Sequence, residues 1–77
     1  MSRKPRRVKI GWQWYDVHDG WAGKLELRAF DSPSYTAEAP YVHMDNLFFV
    51  KDSSGCKVGE IDTHNRSCSG AVESFEM

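Results

Sequence analysis

Residues 8–15 read Val8-Lys-Ile-Gly-Trp-Gln-Trp-Tyr15, with an apolar side chain at every second position. Such alternation is typical of a β-strand that buries one face and exposes the other. The pattern predicts one strand over residues 8–15, and its buried face carries Val8, Ile10, Trp12 and Trp14. Tyr15, at the end of this stretch, is then free of the core, as is Trp21.

Three further segments have strand character, and turn residues separate them. These predicted strands cover residues 24–30, 41–50 and 56–61. The pair Asp19-Gly20 predicts a hairpin turn. Residues 31–40 contain Pro33 and end in Pro40, so they predict a loop with at most one helical turn. The polar stretch 62–77 fits a short terminal strand and a helical turn equally well.

Together these elements predict an all-β or β-rich α+β fold. The expected architecture is a small antiparallel meander or small barrel of four to five strands, with at most one short helical turn. A length of 77 residues allows a single domain. The longest apolar run, Leu47 to Val50, is far shorter than the roughly 18 residues of a membrane span. We therefore expect no association with a membrane.

Charge is distributed unevenly along the chain. The whole chain has ten basic and eleven acidic residues, and residues 1–10 contain five of the basic residues and no acid. The rest of the chain therefore has five basic and eleven acidic residues, a charge of -6. The pattern predicts a basic arm over residues 1–7 and a single β-rich domain over 8–77. Because no apolar stretch follows the basic start, a secretion leader is not indicated and a cytoplasmic location is expected.

The two cysteines, Cys56 and Cys68, are predicted to be free thiols, because a reducing cytosol disfavours disulfides. Cys56, His64 and Cys68 form a weak candidate zinc set. Their spacing lacks the close cysteine pair that preorganises a tetrahedral site, and the fourth ligand would have to come from His18 or His43. We expect neither a metal nor another cofactor.

Catalytic motifs are equally weak. Asp16, His18 and Asp19 could bind a cation or perform acid–base chemistry. However, aspartates are frequent near turns because their side chains accept hydrogen bonds from local backbone N–H groups. The sequence contains no G-x-S-x-G motif, no H-E-x-x-H motif and no glycine-rich phosphate loop. We therefore predict that the protein is not an enzyme.

Aromatic residues that lie outside the predicted core favour a protein-binding role. Tyr and Trp bury a large area at little entropic cost and are enriched in protein interfaces. The predicted partner-binding residues are Tyr15, Trp21, Tyr35 and Tyr41. A free sheet edge is a second way to bind a partner. In composition the chain resembles small phage or mobile-element proteins that inhibit or regulate one host protein.

Nucleic-acid binding is the alternative prediction. A small barrel can stack single-stranded bases on aromatic side chains while basic residues contact the phosphates. The residues that would do so lie in or next to the basic arm: Arg3, Lys4, Arg6, Arg7 and Lys9. The charge of -6 on the rest of the chain opposes this role, because it repels the phosphate backbone.

Overall fold

The computed structural model describes residues 4–20, 24–30, 34–40 and 46–77. Within these ranges the chain forms eight β-strands and no helix. In chain order the strands are β1 (Arg7–Ile10), β2 (Gln13–Asp19), β3 (Leu25–Arg28), β4 (Tyr35–Glu38), β5 (Leu47–Lys51), β6 (Lys57–Asp62), β7 (Ser67–Gly70) and β8 (Val72–Glu76). The prediction of an all-β fold is confirmed, whereas the predicted count of four to five strands is too low.

The eight strands form one antiparallel sheet in the order β7-β6-β5-β4-β3-β2-β1-β8. The first seven strands are a meander, and β8 pairs with β1 rather than with β7. Since β7 and β8 also lie next to each other, the sheet curls into a nearly closed barrel. The two strands that meet at the point of closure are the two ends of the sheet.

The stretch that predicted a single strand instead forms a hairpin. Gly11 and Trp12 are a two-residue turn between β1 and β2, and Gly11 has a φ of +63°. Positive φ at the first central position, with glycine there, is typical of a type II′ turn, whose twist matches that of the flanking strands. The predicted strand over 8–15 is therefore wrong, and Trp12 is 98% exposed rather than buried.

The turn also reverses which side chains of β2 point inward. Tyr15 lies opposite Val8 in the β1–β2 register and is buried in the core. Trp14 lies opposite Lys9 and is half-buried on the outer face. A two-residue turn breaks the period of two, so the alternation seen in the sequence cannot be continued through it.

The core is built from one or two side chains of each strand except β7, as expected where alternate residues face the inside of a barrel. Its fully buried members are Val8, Leu27, Val50 and Ile61. Residues 35–38, within the predicted loop, form β4 instead, and only Ala37 of that strand is buried. Strands that supply so few core residues explain why the predicted count is low.

The start of the described chain lies against the barrel. Pro5 is buried, and the backbone N–H of Arg6 donates to the carbonyl of Glu76 at 2.7 Å. Arg7 begins β1, one residue before the predicted start of the domain. No helix in the described ranges is long and apolar enough to cross a membrane.

Candidate functional site

The aromatic residues predicted to bind a partner do not form one exposed surface. Tyr15 is 4% exposed, and its ring packs edge-on against Tyr35 with the ring centroids 5.2 Å apart. Tyr35 is half-buried against the core. Both rings thus stabilise the barrel, which leaves Tyr15 inaccessible to a partner. Trp21 and Tyr41 lie outside the described residues.

The basic residues of the nucleic-acid alternative are partly engaged by acids. Lys4 forms an ion pair with Asp19 at 2.5 Å. Arg7 forms an ion pair with Glu76 at 2.7 Å and lies over the Trp14 ring at 4.7 Å from its centroid. Their charges are therefore already balanced within the barrel.

The other residues of that alternative are less constrained. Arg6 is exposed and Lys9 is half-buried, and neither forms an ion pair with another described residue. Arg3 lies outside the described residues. The described part of the basic set thus offers two side chains for phosphates rather than four.

The candidate zinc set is spread along the barrel. Cys56 precedes β6 and His64 follows it, so the length of this strand, roughly 20 Å at about 3.3 Å per residue, separates them. Among the described residues no group of His, Cys, Asp and Glu could hold a metal ion. Both cysteines are free thiols; Cys56 is exposed and Cys68 is half-buried.

Asp16, His18 and Asp19 lie on β2, which extends further than the sequence indicated. Each of these residues has a cross-strand partner on β3, and Asp19 is also paired with Lys4. All three side chains are exposed on the barrel surface. Their arrangement is that of a solvated strand surface rather than an enclosed acid–base site.

A groove lies between β7 and β8, and we call it the β7–β8 seam. It has a volume of about 480 Å³. The residues that line it include Arg66, Cys68, Glu73, Phe75, Glu76 and Met77. Cys68 and Phe75 are half-buried against the core, and Met77 is 42% exposed. The seam therefore combines an apolar floor with charged side chains.

A crowded corner closes one end of the seam. Gly70 has a φ of +70°, and the N–H of Ala71 donates to the carbonyl of Val58 at 2.8 Å. A Cβ on Gly70 would lie 2.4 Å from the Val58 carbonyl oxygen, and one on Gly59 would lie 2.7 Å from that of Ser69. Glycine at both positions lets β6, β7 and β8 converge here.

From this corner to the other end of the seam, each strand has an unpaired edge. In an antiparallel sheet, successive residues direct their backbone N–H and C=O groups alternately toward one neighbouring strand and toward the other. Ala71 bonds to β6, so the backbone groups of Cys68, three residues earlier, point into the seam. On the other strand, the carbonyl of Glu76 accepts a hydrogen bond from the N–H of Arg6 on the β1 side. The backbone N–H and C=O groups of the neighbouring Phe75 therefore point away from β1 and into the seam. Neither strand pairs with the other.

Glu73 lies at the corner end of the seam because β8 is irregular there. The β1–β8 register moves from Lys9–Ser74 to Ile10–Val72, which leaves Glu73 without a cross-strand partner. Such a bulge re-aims the extra side chain. Glu73 also lines a smaller groove beside Trp12. The seam and the exposed indole are thus parts of one continuous surface.

The thiol in the seam is held in its protonated form. Burial raises the pKa of Cys68, and the negative charge of Glu73 raises this pKa further. A thiol is a weak nucleophile and a weak metal ligand compared with a thiolate. Cys68 therefore acts as an apolar side chain in the floor of the seam.

Comparisons with protein-family models, with curated proteins and with solved structures give no match. The identification of the seam as a candidate site therefore depends on the geometry of this chain alone. Sequence reasoning missed it because Ser67-Cys-Ser-Gly70 is polar and has no strand-like alternation. Gly70, directly before a new apolar residue pattern, was the available signal for a sharp change of direction.

Proposed function

We propose that the protein is a non-enzymatic interaction module that takes an extended segment of a partner protein into the β7–β8 seam and thereby inhibits or regulates that partner. The observation that carries this proposal is the pair of unpaired strand edges on either side of one groove. An added strand satisfies such edges through backbone hydrogen bonds, and side-chain pockets give the specificity.

The chemistry of the groove supports binding of an alternating segment. In an extended peptide every second side chain points the same way. One set would contact the apolar floor of Cys68, Phe75 and Met77, while the other set faces solvent and the charged rim. The raised pKa of Cys68 favours this role over a catalytic one, because burial and Glu73 disfavour the thiolate.

Nucleic-acid binding has less support. The ion pairs of Lys4 and Arg7 would have to break before these side chains could contact phosphates. Each phosphate contact adds about 0.7 to the salt dependence of binding on single strands. A titration with mixed oligonucleotides at physiological salt is expected to show no sub-micromolar binding.

The proposal is tested by selecting ligands from a display library of random seven-residue peptides against the full chain. Enriched peptides are then measured by fluorescence anisotropy against two variants. Met77→Ser removes an apolar side chain from the seam, and Phe30→Ser removes one that is 89% exposed after β3. We expect Met77→Ser to weaken binding about fivefold, since about 1 kcal/mol of apolar burial is lost. Phe30→Ser is expected to change it less than twofold.

Two outcomes would contradict the proposal. One is that no peptide is enriched, or that both variants weaken binding equally. The other is a dimer in light scattering that Met77→Ser converts to monomers, because a second copy of the chain would then occupy the seam. Circular dichroism of each variant verifies that the barrel is folded.

A further inference from the structure

The two ends of the β7–β8 seam carry opposite charges. Glu73 lies beside the corner at Ala71, and Arg66 ends the turn that precedes β7 at the other end. Along the seam the chain runs from Glu73 to Met77, and these five residues span roughly 13 Å at about 3.3 Å per residue. An extended segment of about five residues therefore spans both charges.

Neither charge is balanced by an ion pair within the described residues. Glu76, the other acid of the seam, is paired with Arg7, whereas Glu73 and Arg66 form no such pair with a described residue. The charge of Glu73 acts on the seam floor, since it contributes to the raised pKa of Cys68. The seam thus has a negative end and a positive end.

The surroundings of Glu73 suit a cation. Trp12 lines the groove next to this carboxylate, and its indole is 98% exposed. A basic side chain placed between an indole and a carboxylate gains both a cation–π contact and an ion pair. Lys9 lines the same groove but forms no ion pair with Glu73, so its positive charge weakens the attraction for a cation without neutralising the carboxylate.

We infer that the seam orients a bound partner segment by the order of its charges, with a basic side chain next to Glu73 and an acidic side chain next to Arg66. This inference rests on the proposed function and adds the chemistry and the direction of the bound segment. Opposite charges at two fixed ends favour one of the two possible chain directions, since the reversed segment places like charges together.

The test uses two capped peptides of identical composition, Lys-Val-Thr-Val-Glu and Glu-Val-Thr-Val-Lys, each with a nitroxide spin label at its N-terminus, added to the ¹⁵N-labelled full chain at low salt. Both peptides can place Lys next to Glu73, but only by running in opposite directions, so we expect the label of the Lys-first peptide to broaden the amide signals around Glu73 most and that of the Glu-first peptide those around Arg66. The double variant Glu73→Lys, Arg66→Glu should exchange these two patterns. The preference for one chain direction should be weaker at about 0.5 M salt, where the Debye length is only a few ångströms, because salt screens exposed charges.

A matched control reverses one acid and one base elsewhere on the barrel. Lys57 and Glu60 form an ion pair on β6, away from the seam. The double variant Lys57→Glu, Glu60→Lys should keep the preference of the unaltered chain. The same chain direction for both peptides on the unaltered chain would overturn the inference and leave the proposed function standing. If neither peptide and no library peptide binds any variant, the proposed function itself fails.

Discussion

Two tight turns of this barrel use the same backbone device with opposite results. Gly11 and Gly70 both have positive φ; Gly11 lies in the two-residue turn between β1 and β2, and Gly70 is the last residue of β7, with only Ala71 between it and β8. The strands on either side of Gly11 pair with each other along their length. Those on either side of Gly70 pair with β6 and with β1 instead. The seam is therefore made by the corner at Gly70, which splits two strands that a hairpin turn would have joined.

The largest expected effect comes from filling the corner. Gly70→Ala adds backbone strain of about 1–3 kcal/mol and an overpacking cost of about 1–3 kcal/mol, because its Cβ would lie 2.4 Å from the Val58 carbonyl oxygen. Gly11→Ala meets no atom within 4 Å, so we expect only the conformational cost of about 1–2 kcal/mol. Urea denaturation of both variants measures the difference, and equal losses would contradict the description of the corner as crowded.

A smaller effect separates the two cation–π contacts. Arg7 joins three strands, since it lies on β1 and contacts Trp14 of β2 and Glu76 of β8. Lys57 contacts Phe49 and Glu60, all within the paired strands β5 and β6. We expect Arg7→Ala to cost about 1–2 kcal/mol, the range of one cation–π contact and one exposed ion pair. Lys57→Ala should cost about half as much, because Lys57 donates one hydrogen bond to Glu60 whereas Arg7 donates two to Glu76.

Amide exchange distinguishes these two variants further. Because β8 is paired on one side only, loss of Arg7 should speed exchange in β8 more than loss of Lys57 speeds it in β5. Uniform acceleration across the barrel in both variants would show that the seam strands are no less stable than the rest of the sheet.

The smallest effect concerns the turn that leads into β7. Asp62 accepts hydrogen bonds from the Asn46 side chain at 2.8 Å and from the backbone N–H groups of His64 and Asn65. These bonds, that of Asn46 first, hold the pKa of Asp62 below its ordinary value of 3.8. The stability they provide is complete above pH 3.8 and is lost as the pH falls through the lower, folded-state pKa.

Asp62→Asn tests this pH dependence. The variant should be less stable than the unaltered chain at pH 7 and should lose less stability on acidification below pH 3.8. Thermal melts at a series of pH values measure both. Parallel pH profiles for the two chains would show that the Asp62 carboxylate does not stabilise the turn.

The elements with a strong pattern of their own were predictable, and the rest depended on context. Leu25 and Leu27 alternate within β3, so this strand was expected near its observed position. Phe48 and Val50 lie in an apolar run, and β5 coincides with the second half of the strand predicted over 41–50, of which residues 41–45 lie outside the described residues. The β7 sequence, by contrast, directs one partly buried side chain, Cys68, toward the core. Its strand structure comes from pairing with β6, which local sequence does not encode.

The same limit explains the candidate site. A free strand edge was expected as one way to bind a partner, but which edge is free depends on the strand order of the whole sheet. The alternation over 8–15 was misleading, because Gly11 could be either a strand residue or the first residue of a type II′ turn. The pairing of Val8 with Tyr15 shows that Gly11 is a turn residue, and this pairing is seen only in the folded sheet.

Hydrogen exchange at the seam tests the central claim most directly. In the ¹⁵N-labelled free chain, the amides of Cys68 and Phe75 should exchange much faster than that of Leu27, which is fully buried on a strand paired on both sides. Saturation with the tighter of the two charged peptides should slow Cys68, Phe75 or both by at least about tenfold and leave Leu27 unchanged. Seam amides that are already protected in the free chain, or that stay unprotected when the peptide is bound, would contradict the proposal that the seam receives an added strand.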